Sequence, residues 1–314
     1  MYVSRVRVAG LKCFAGPREV DLALDGEPGW TVLAGPAGAG KTTLLKALAL
    51  ALGAHPPVAA ARWLAPGQPD AVVEVDGAPR WRLSTASSTR LRRAHYVTAR
   101  PGAPLVPALL ADGILPPGWQ VSDPVRRYVV RDGLEVPLAD LGAGTAALAL
   151  LASAVAAAAP ADVPILIDDV DAHLHPAWQQ RIGGWLTGHF PQAQFIVAAH
   201  SPYVCQAADP GALVHLPSAD SGRAPYRLDE DLHQRILYGS GDDTAVSDLF
   251  GLPSSYSPAA EAERRLLVRL ERKLYTGQAS DAELAEYREL GAKLNSSLGA
   301  RADEVAARLL GREP

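Results

Sequence analysis

Nine consecutive residues, Gly35-Pro36-Ala37-Gly38-Ala39-Gly40-Lys41-Thr42-Thr43, combine the groups that hold a polyphosphate. The spacing GxxxxGK[ST] is fully matched by Gly35, Gly40, Lys41 and Thr42. Glycines let backbone N–H groups curl around phosphates, and a helix starting there points its positive end at them. Lys41 has the reach for β- and γ-phosphates, and the Thr42 hydroxyl is a ligand for Mg²⁺. A chance glycine loop would lack the right flanks. Here the apolar run Trp30 to Ala34 precedes it and a Leu/Ala-rich helical stretch follows, so the segment reads as a nucleotide site.

Two further clusters suit the same chemistry. Ile165-Leu166-Ile167 ends in Asp168 and Asp169. The first acid would hold Mg²⁺, directly or through water, and the second would polarise an attacking water as general base. The bland alternative is two exposed loop acids. Phe195 to Ala199 is a second apolar run, followed by His200-Ser201-Pro202. His200 there would donate to a γ-phosphate or position the water. Standing alone, it would read as a satisfied strand-end histidine.

These residues need strands and helices to bring them together. Val3, Val6 and Val8 suggest an opening strand, Gly29 to Ala34 a second, and Thr42 to Leu52 a helix. Asp-Gly turns within 71–84 and 126–136 signal two hairpins. An Ala/Leu helix is expected from Thr145 to Ala159, a buried strand over Val163 to Ile167, a helix from Ala177 to Phe190 and a buried strand from Gln194 to Ala199. This alternation predicts an α/β fold with a mostly parallel sheet, plus a strand-rich lobe inserted at about 60–137. The predicted head covers 1–255 and a helical C-terminal tail covers 256–314. Ser257-Pro258 and Ser280 should open tail helices running to Tyr275 and through DAELAEYRELGAKL, and a third is expected from Arg301 to Leu310. Leu266, Leu270 and Leu274 give the tail an apolar stripe, for packing on its own domain or for a partner.

The 314 residues are 48% hydrophobic, enough for a substantial core, and the net charge of −4 gives no general attraction to nucleic acid. Local exceptions remain open. Arg80, Arg82, Arg90, Arg92, Arg93 and Arg100 are interleaved with Trp81, His95 and Tyr96, with no acid between. That stretch suits a phosphate backbone, an acidic partner or merely a solvated face. Cys13 and Cys205 have no metal-type spacing, the N-terminus lacks a signal-peptide pattern, and Ala146 to Ala159 is too short to span a bilayer. A cytoplasmic protein without membrane attachment is expected.

GPAGAGKTT, ILIDDVDAHLHPAWQQRI and QFIVAAHSP, in that order, resemble the ABC-type ATPase heads of the RecF/SMC-like AAA ATPases. The stand-alone bacterial group with overcoming-lysogenization-defect and Septu-type defence ATPases is the most similar. The resemblance spans about residues 1–205 and implies a P-loop NTPase that binds ATP and Mg²⁺ between two heads of a homodimer or higher homo-oligomer. It also implies an effector protein partner or DNA in anti-phage defence or repair; the Arg80–Arg100 region is where DNA would bind. VRVAGLKCFAG resembles the family's N-terminal strand and turn, which would set Lys12 near the nucleotide. Leu141-Gly142-Ala143-Gly144-Thr145 matches the signature loop, with Gly142 in place of serine; Gly142 and Gly144 would present N–H groups to the γ-phosphate across the dimer. A plain hairpin-to-helix turn is the alternative. Asp171 to His175 would lie at the dimer seam, a better account of His173 and His175 than a metal site. The family's catalytic glutamate is Asp169 here, one methylene shorter, so hydrolysis is expected to be slow unless the backbone advances or Asp171 takes part. Neither Gln68 nor Gln120 has a convincing context for the glutamine loop. Two other readings stay open: an ATP-dependent scaffold with negligible turnover, and a DNA-binding repair clamp.

Overall fold

Val32–Ala34, Ile165–Ile167 and Phe195–Ala198 lack the alternation of strands with one wet face. The computed structural model places them side by side in the middle of one sheet. It describes residues 2–53, 63–68, 70–76, 81–84, 95–97, 103–158 and 164–294, which fall into two units, Met1–Gly251 and Leu252–Pro314.

In the first unit, β1 (Arg5–Ala9) and β2 (Val20–Ala23) precede β3 (Gly29–Ala34) and helix α1 (Lys41–Ala51). Next come β4 (Asp70–Val75), β5 (Trp81–Ser84), β6 (His95–Val97) and the short α2 (Pro107–Ala111). Strands β7 (Gln120–Asp123), β8 (Tyr128–Arg131) and β9 (Leu134–Pro137) lead into α3 (Ala143–Ala158) and β10 (Ile165–Ile167). Then follow α4 (Pro176–His189), β11 (Gln194–Ala198), α5 (Pro202–Cys205), β12 (Leu213–His215), β13 (Tyr226–Arg227), α6 (Glu230–Tyr238) and α7 (Gly241–Val246).

The six-stranded central sheet has the order β13-β12-β3-β11-β10-β6 and is parallel except for β13 at one edge. Its alternate side chains enter two separate cores. Trp30, Val32, Ile165, Ile167, Phe195 and Val197 pack with residues of α3 and α4, whereas Leu33, Leu166, Ile196 and Ala198 meet α1. The antiparallel sheet β2-β1-β4-β5 closes the second core, with Val6, Val8, Val20, Leu22, Val73 and Val75 turned inward. Burial on both faces is why these central strands read as continuous apolar runs.

Both expected hairpins form. At β8–β9 the turn residues Asp132 and Gly133 take φ +51° and +80°, the doubly left-handed turn that suits strand twist. The strands between 70 and 137 are shared among three sheets. β4–β5 pair with β1, β6 runs parallel to β10, and β7-β8-β9 stand as their own sheet. Strand β2 had no sequence signal strong enough to read. Its four residues carry Asp21, which faces out to Arg5 and Arg7 at 2.8 and 3.2 Å. Gln194, buried in β11, bonds both backbone groups of Val3, accepting from its N–H at 2.7 Å and donating to its carbonyl at 2.9 Å.

In the second unit, Ser257 caps α8 (Pro258–Tyr275) by accepting from the N–H of Ala260, with proline at the first turn. Ser280 and Glu283 exchange capping bonds at the start of α9 (Asp281–Leu294). Lys273 pairs with Glu283 and Lys293 with Glu263, tying the two helices. Of the predicted stripe, Leu270 is buried and Leu266 and Leu274 are half-buried. The helix expected from Arg301 to Leu310 lies outside the described residues. Among the described residues no helix is long and apolar enough to cross a membrane.

Candidate nucleotide-binding site

The phosphate loop leaves β3 at Gly35, where only glycine fits. Its φ is +150°, and a Cβ there would lie 2.2 Å from the carbonyl oxygen of Leu216. Gly40, at φ +107°, is equally confined, because a Cβ would meet Cys13 Sγ at 2.7 Å and Phe14 Cζ at 2.8 Å. The loop closes through a bond from Ala39 N–H to the Pro36 carbonyl, and α1 starts directly after Gly40. Lys41 is buried, its Nζ donating to the carbonyls of Gly35 at 2.7 Å and Pro36 at 3.1 Å. Burial lowers the Lys41 pKa, while the nearby carboxylates of Asp169 and Asp171 oppose that shift.

In front of the loop is a cavity of about 300 Å³ lined by Lys12, Cys13, Gly38, Gly40, Lys41, Thr42, Thr43 and His200. The fold therefore brings three distant segments to one opening. Lys12 holds a left-handed backbone, φ +46°, and its ammonium lies 4.2 Å from the centre of the Trp63 ring, a cation–π contact. Gln68 and Gln120 do not line this cavity.

Beside the loop, the strand-end acids and the histidine interlock. The Thr42 hydroxyl donates to Asp168 Oδ1 at 3.0 Å. Asp169, also left-handed at φ +50°, has Oδ1 3.5 Å from His200 Nε2. Its carboxyl pKa is raised, first by burial and then by the charge of Asp168, with His200 and Lys41 pulling the other way. The backbone N–H of His200 donates to Asp171 Oδ2 at 2.9 Å, and Ser201 Oγ donates to Gln179 Oε1 at 2.6 Å. The turn after β10 is thus latched to the turn after β11.

Comparison with known proteins finds similar families and folds. A family model described as "AAA domain" matches residues 5–60, and one described as "AAA domain, putative AbiEii toxin, Type IV TA system" matches 70–206. A solved Smc head bound to the C-winged helix domain of ScpA superposes with TM-score 0.55 over 75% of this chain and all of its own, at 18% identity. In fold the chain is similar to the ABC-type ATPase heads of SMC proteins, and its motifs are similar to those of AAA-domain ATPases. Among curated relatives, the Retron Ec83 probable ATPase of Escherichia coli is 29% identical over 135 residues, 43% of this chain and 22% of the relative. The Septu protein PtuA of Bacillus thuringiensis is 32% identical over 116 residues, 35% of this chain and 29% of the relative. The matched regions cover less than a third of either relative.

Neither Gly142 nor Gly144 of the signature-like loop lines this cavity. Gly142 has φ +100° with open space where a Cβ would sit, and its carbonyl accepts the N–H of Ala146 in the first turn of α3. Gly144 packs tightly: a Cβ there would lie 2.8 Å from the carbonyl oxygen of His173, itself at φ +64°. The signature-like turn and the Asp171–His175 turn therefore share one surface region. His175 caps α4, its Nδ1 accepting from Ala177 N–H. Arg80, Arg90, Arg92, Arg93 and Arg100 lie outside the described residues; β5 and β6 place the backbones of Arg82 and of His95 and Tyr96 in two different sheets. Sequence reasoning did not single out Cys13 as a cavity-lining residue, Trp63 beneath Lys12, or the buried Arg18 behind the loop. Their partners come from remote segments, so no local spacing marks them.

Proposed function

We propose that this head binds ATP with Mg²⁺ at the Gly35–Thr43 loop and hydrolyses it, as a cytoplasmic protein, to switch the state of a partner. The carrying observation is the convergence of Lys41, the Thr42–Asp168 pair and the Asp169–His200 pair beside one cavity. Thr42 and Asp168 fit a hard cation, being oxygen donors already within hydrogen-bond distance of each other. Bound Mg²⁺ would neutralise charge on the β- and γ-phosphates. Lys41 would exchange its contacts with the Gly35 and Pro36 carbonyls for phosphate oxygens. Asp169 would accept a proton from the attacking water as its oxygen bonds the γ-phosphorus and the bond to the β-phosphate oxygen breaks, leaving ADP and phosphate. His200 would donate to the γ-phosphate or hold the water.

The close approach of Gly144 to His173, on a loop that does not line the cavity, supports completion of the site by a second copy. The retron and Septu relatives favour a defence setting with an effector protein as the partner; a DNA complex in repair is the alternative. The same geometry leaves room for a scaffold with negligible turnover, because Asp169 is a methylene shorter than the glutamate of similar heads. Steady-state phosphate release measured over a range of protein concentrations, with Lys41→Ala and Asp169→Asn beside it, separates these readings. Specific activity that rises with concentration and is lost in both variants supports a composite enzyme. Bound ATP without release leaves the scaffold.

A further inference from the structure

Arg18 ends the short 3₁₀ turn Gly16–Arg18 and is 5% exposed. Its guanidinium reaches four carbonyls. Nε donates to Cys13 at 3.2 Å, Nη1 to Pro217 at 3.1 Å and to Ser218, and Nη2 to Ala39 at 3.0 Å. Ala39 belongs to the phosphate loop and Cys13 to the cavity wall. Pro217 and Ser218 continue from Leu216, whose N–H donates to the Ala34 carbonyl and whose own carbonyl abuts Gly35. The strap Leu216–Ser218 thus backs the loop at its first glycine directly and near its last one through Arg18.

Among the described residues, no carboxylate lies within salt-bridge distance of Arg18. A guanidinium keeps its charge at all ordinary pH, and burying one without a counter-charge is unfavourable. Carbonyl dipoles satisfy its N–H groups but do not neutralise it. The loop whose Ala39 carbonyl Arg18 holds is the segment whose glycine pattern suits phosphates. Neither Arg18 nor Ala39 lines the cavity, so the effect is exerted from behind the loop.

We propose that Arg18 is a positioning residue for the triphosphate: it fixes the loop through the Ala39 carbonyl and supplies a buried positive charge that the phosphates complete. This rests on the ATP reading above. Lysine at this position keeps the charge but cannot span four carbonyls, whereas glutamine loses the charge. Calorimetric titration of the full chain with ATP and with ADP, for wild type, Arg18→Lys, Arg18→Gln and Lys41→Ala, tests it alongside melting curves without nucleotide. Arg18→Gln should bind ATP about tenfold more weakly and narrow the preference between ATP and ADP, consistent with losing one charge-assisted contact. Arg18→Lys should weaken ATP by only about threefold and retain the preference, a smaller loss because the charge remains. If Arg18→Gln does not fold, Arg18→Lys decides by the same two readouts. Both variants melting lower while binding either nucleotide like wild type would reduce Arg18 to a structural tie and overturn the proposal. A wild-type chain that binds neither nucleotide would instead overturn the ATP reading, and this proposal with it.

Discussion

The hydroxyl of Thr42 donates to Asp168 across 3.0 Å, joining the first turn of α1 to the end of β10 over 126 positions of sequence. This bond sets two oxygen donors at one point beside the phosphate loop. Thr42→Ala should therefore lose most of the Mg²⁺-dependent gain in ATP affinity, whereas Thr42→Ser, which keeps the hydroxyl, should retain it. Titrations with and without Mg²⁺ read this directly. An equal Mg²⁺ effect in wild type and Thr42→Ala would contradict the assignment.

Asp169, the proposed general base, lies 3.5 Å from His200. Asp169→Asn should keep nucleotide binding and lower turnover by about 10²- to 10⁴-fold, the usual worth of such a group. Only the ionised carboxylate accepts a proton, and its pKa is raised from 3.8 by burial and by Asp168. The wild-type rate should rise with pH as Asp169 ionises, along a limb displaced above the ordinary carboxylate range. A pH–rate profile of Asp169→Asn should lack that limb.

The same raised pKa has a consequence for stability. A carboxyl that holds its proton more tightly folded than unfolded favours the fold most at low pH, and that advantage is lost as pH climbs through the folded value. At pH 7 the ionised Asp169 is then a net cost to the nucleotide-free head. Asparagine removes the charge and tolerates the left-handed backbone at φ +50°. Asp169→Asn should melt at or above wild type at pH 7, with the gap narrowing towards pH 4. A melting point several degrees lower would show that Asp169 has a stabilising role this account lacks.

Gln194 acts as a side-chain strand partner for Val3, bonding its N–H and carbonyl in a buried position. Gln194→Ala strips both backbone groups of their partners and leaves a small cavity. Destabilisation of about 2–4 kcal/mol is expected. Urea unfolding should show a lower midpoint with an unchanged slope; a shift below about 0.5 kcal/mol would mean that the N-terminal segment finds other partners.

Much of this site was legible because its chemistry is local. Gly35 to Thr43 specifies a loop through contiguous residues, and the flanking Trp30–Ala34 run and Leu-rich helix follow from hydrophobic pattern. Asp168, Asp169 and His200 stood out because apolar runs delivered them to strand ends. Arg18 gave no such signal: an arginine within Gly-Pro-Arg-Glu reads as a surface turn until its four carbonyl partners are known. Strand β6 was likewise hidden, because three residues in an arginine-rich stretch acquire strand character only by pairing with β10.

The sequence by itself determined a phosphate loop between a strand and a helix, two buried strands ending in acids and a histidine, and capped helices after residue 256. Each depends on neighbours a few positions apart, where periodicity and backbone preference act. Tertiary structure alone decided the order β13-β12-β3-β11-β10-β6, the meeting of Thr42 with Asp168, the close approach of Gly144 to His173 and the burial of Arg18. Those depend on which distant surfaces exclude water together. Hydrophobic burial is non-directional, so pairing must be settled by the packing of the whole chain.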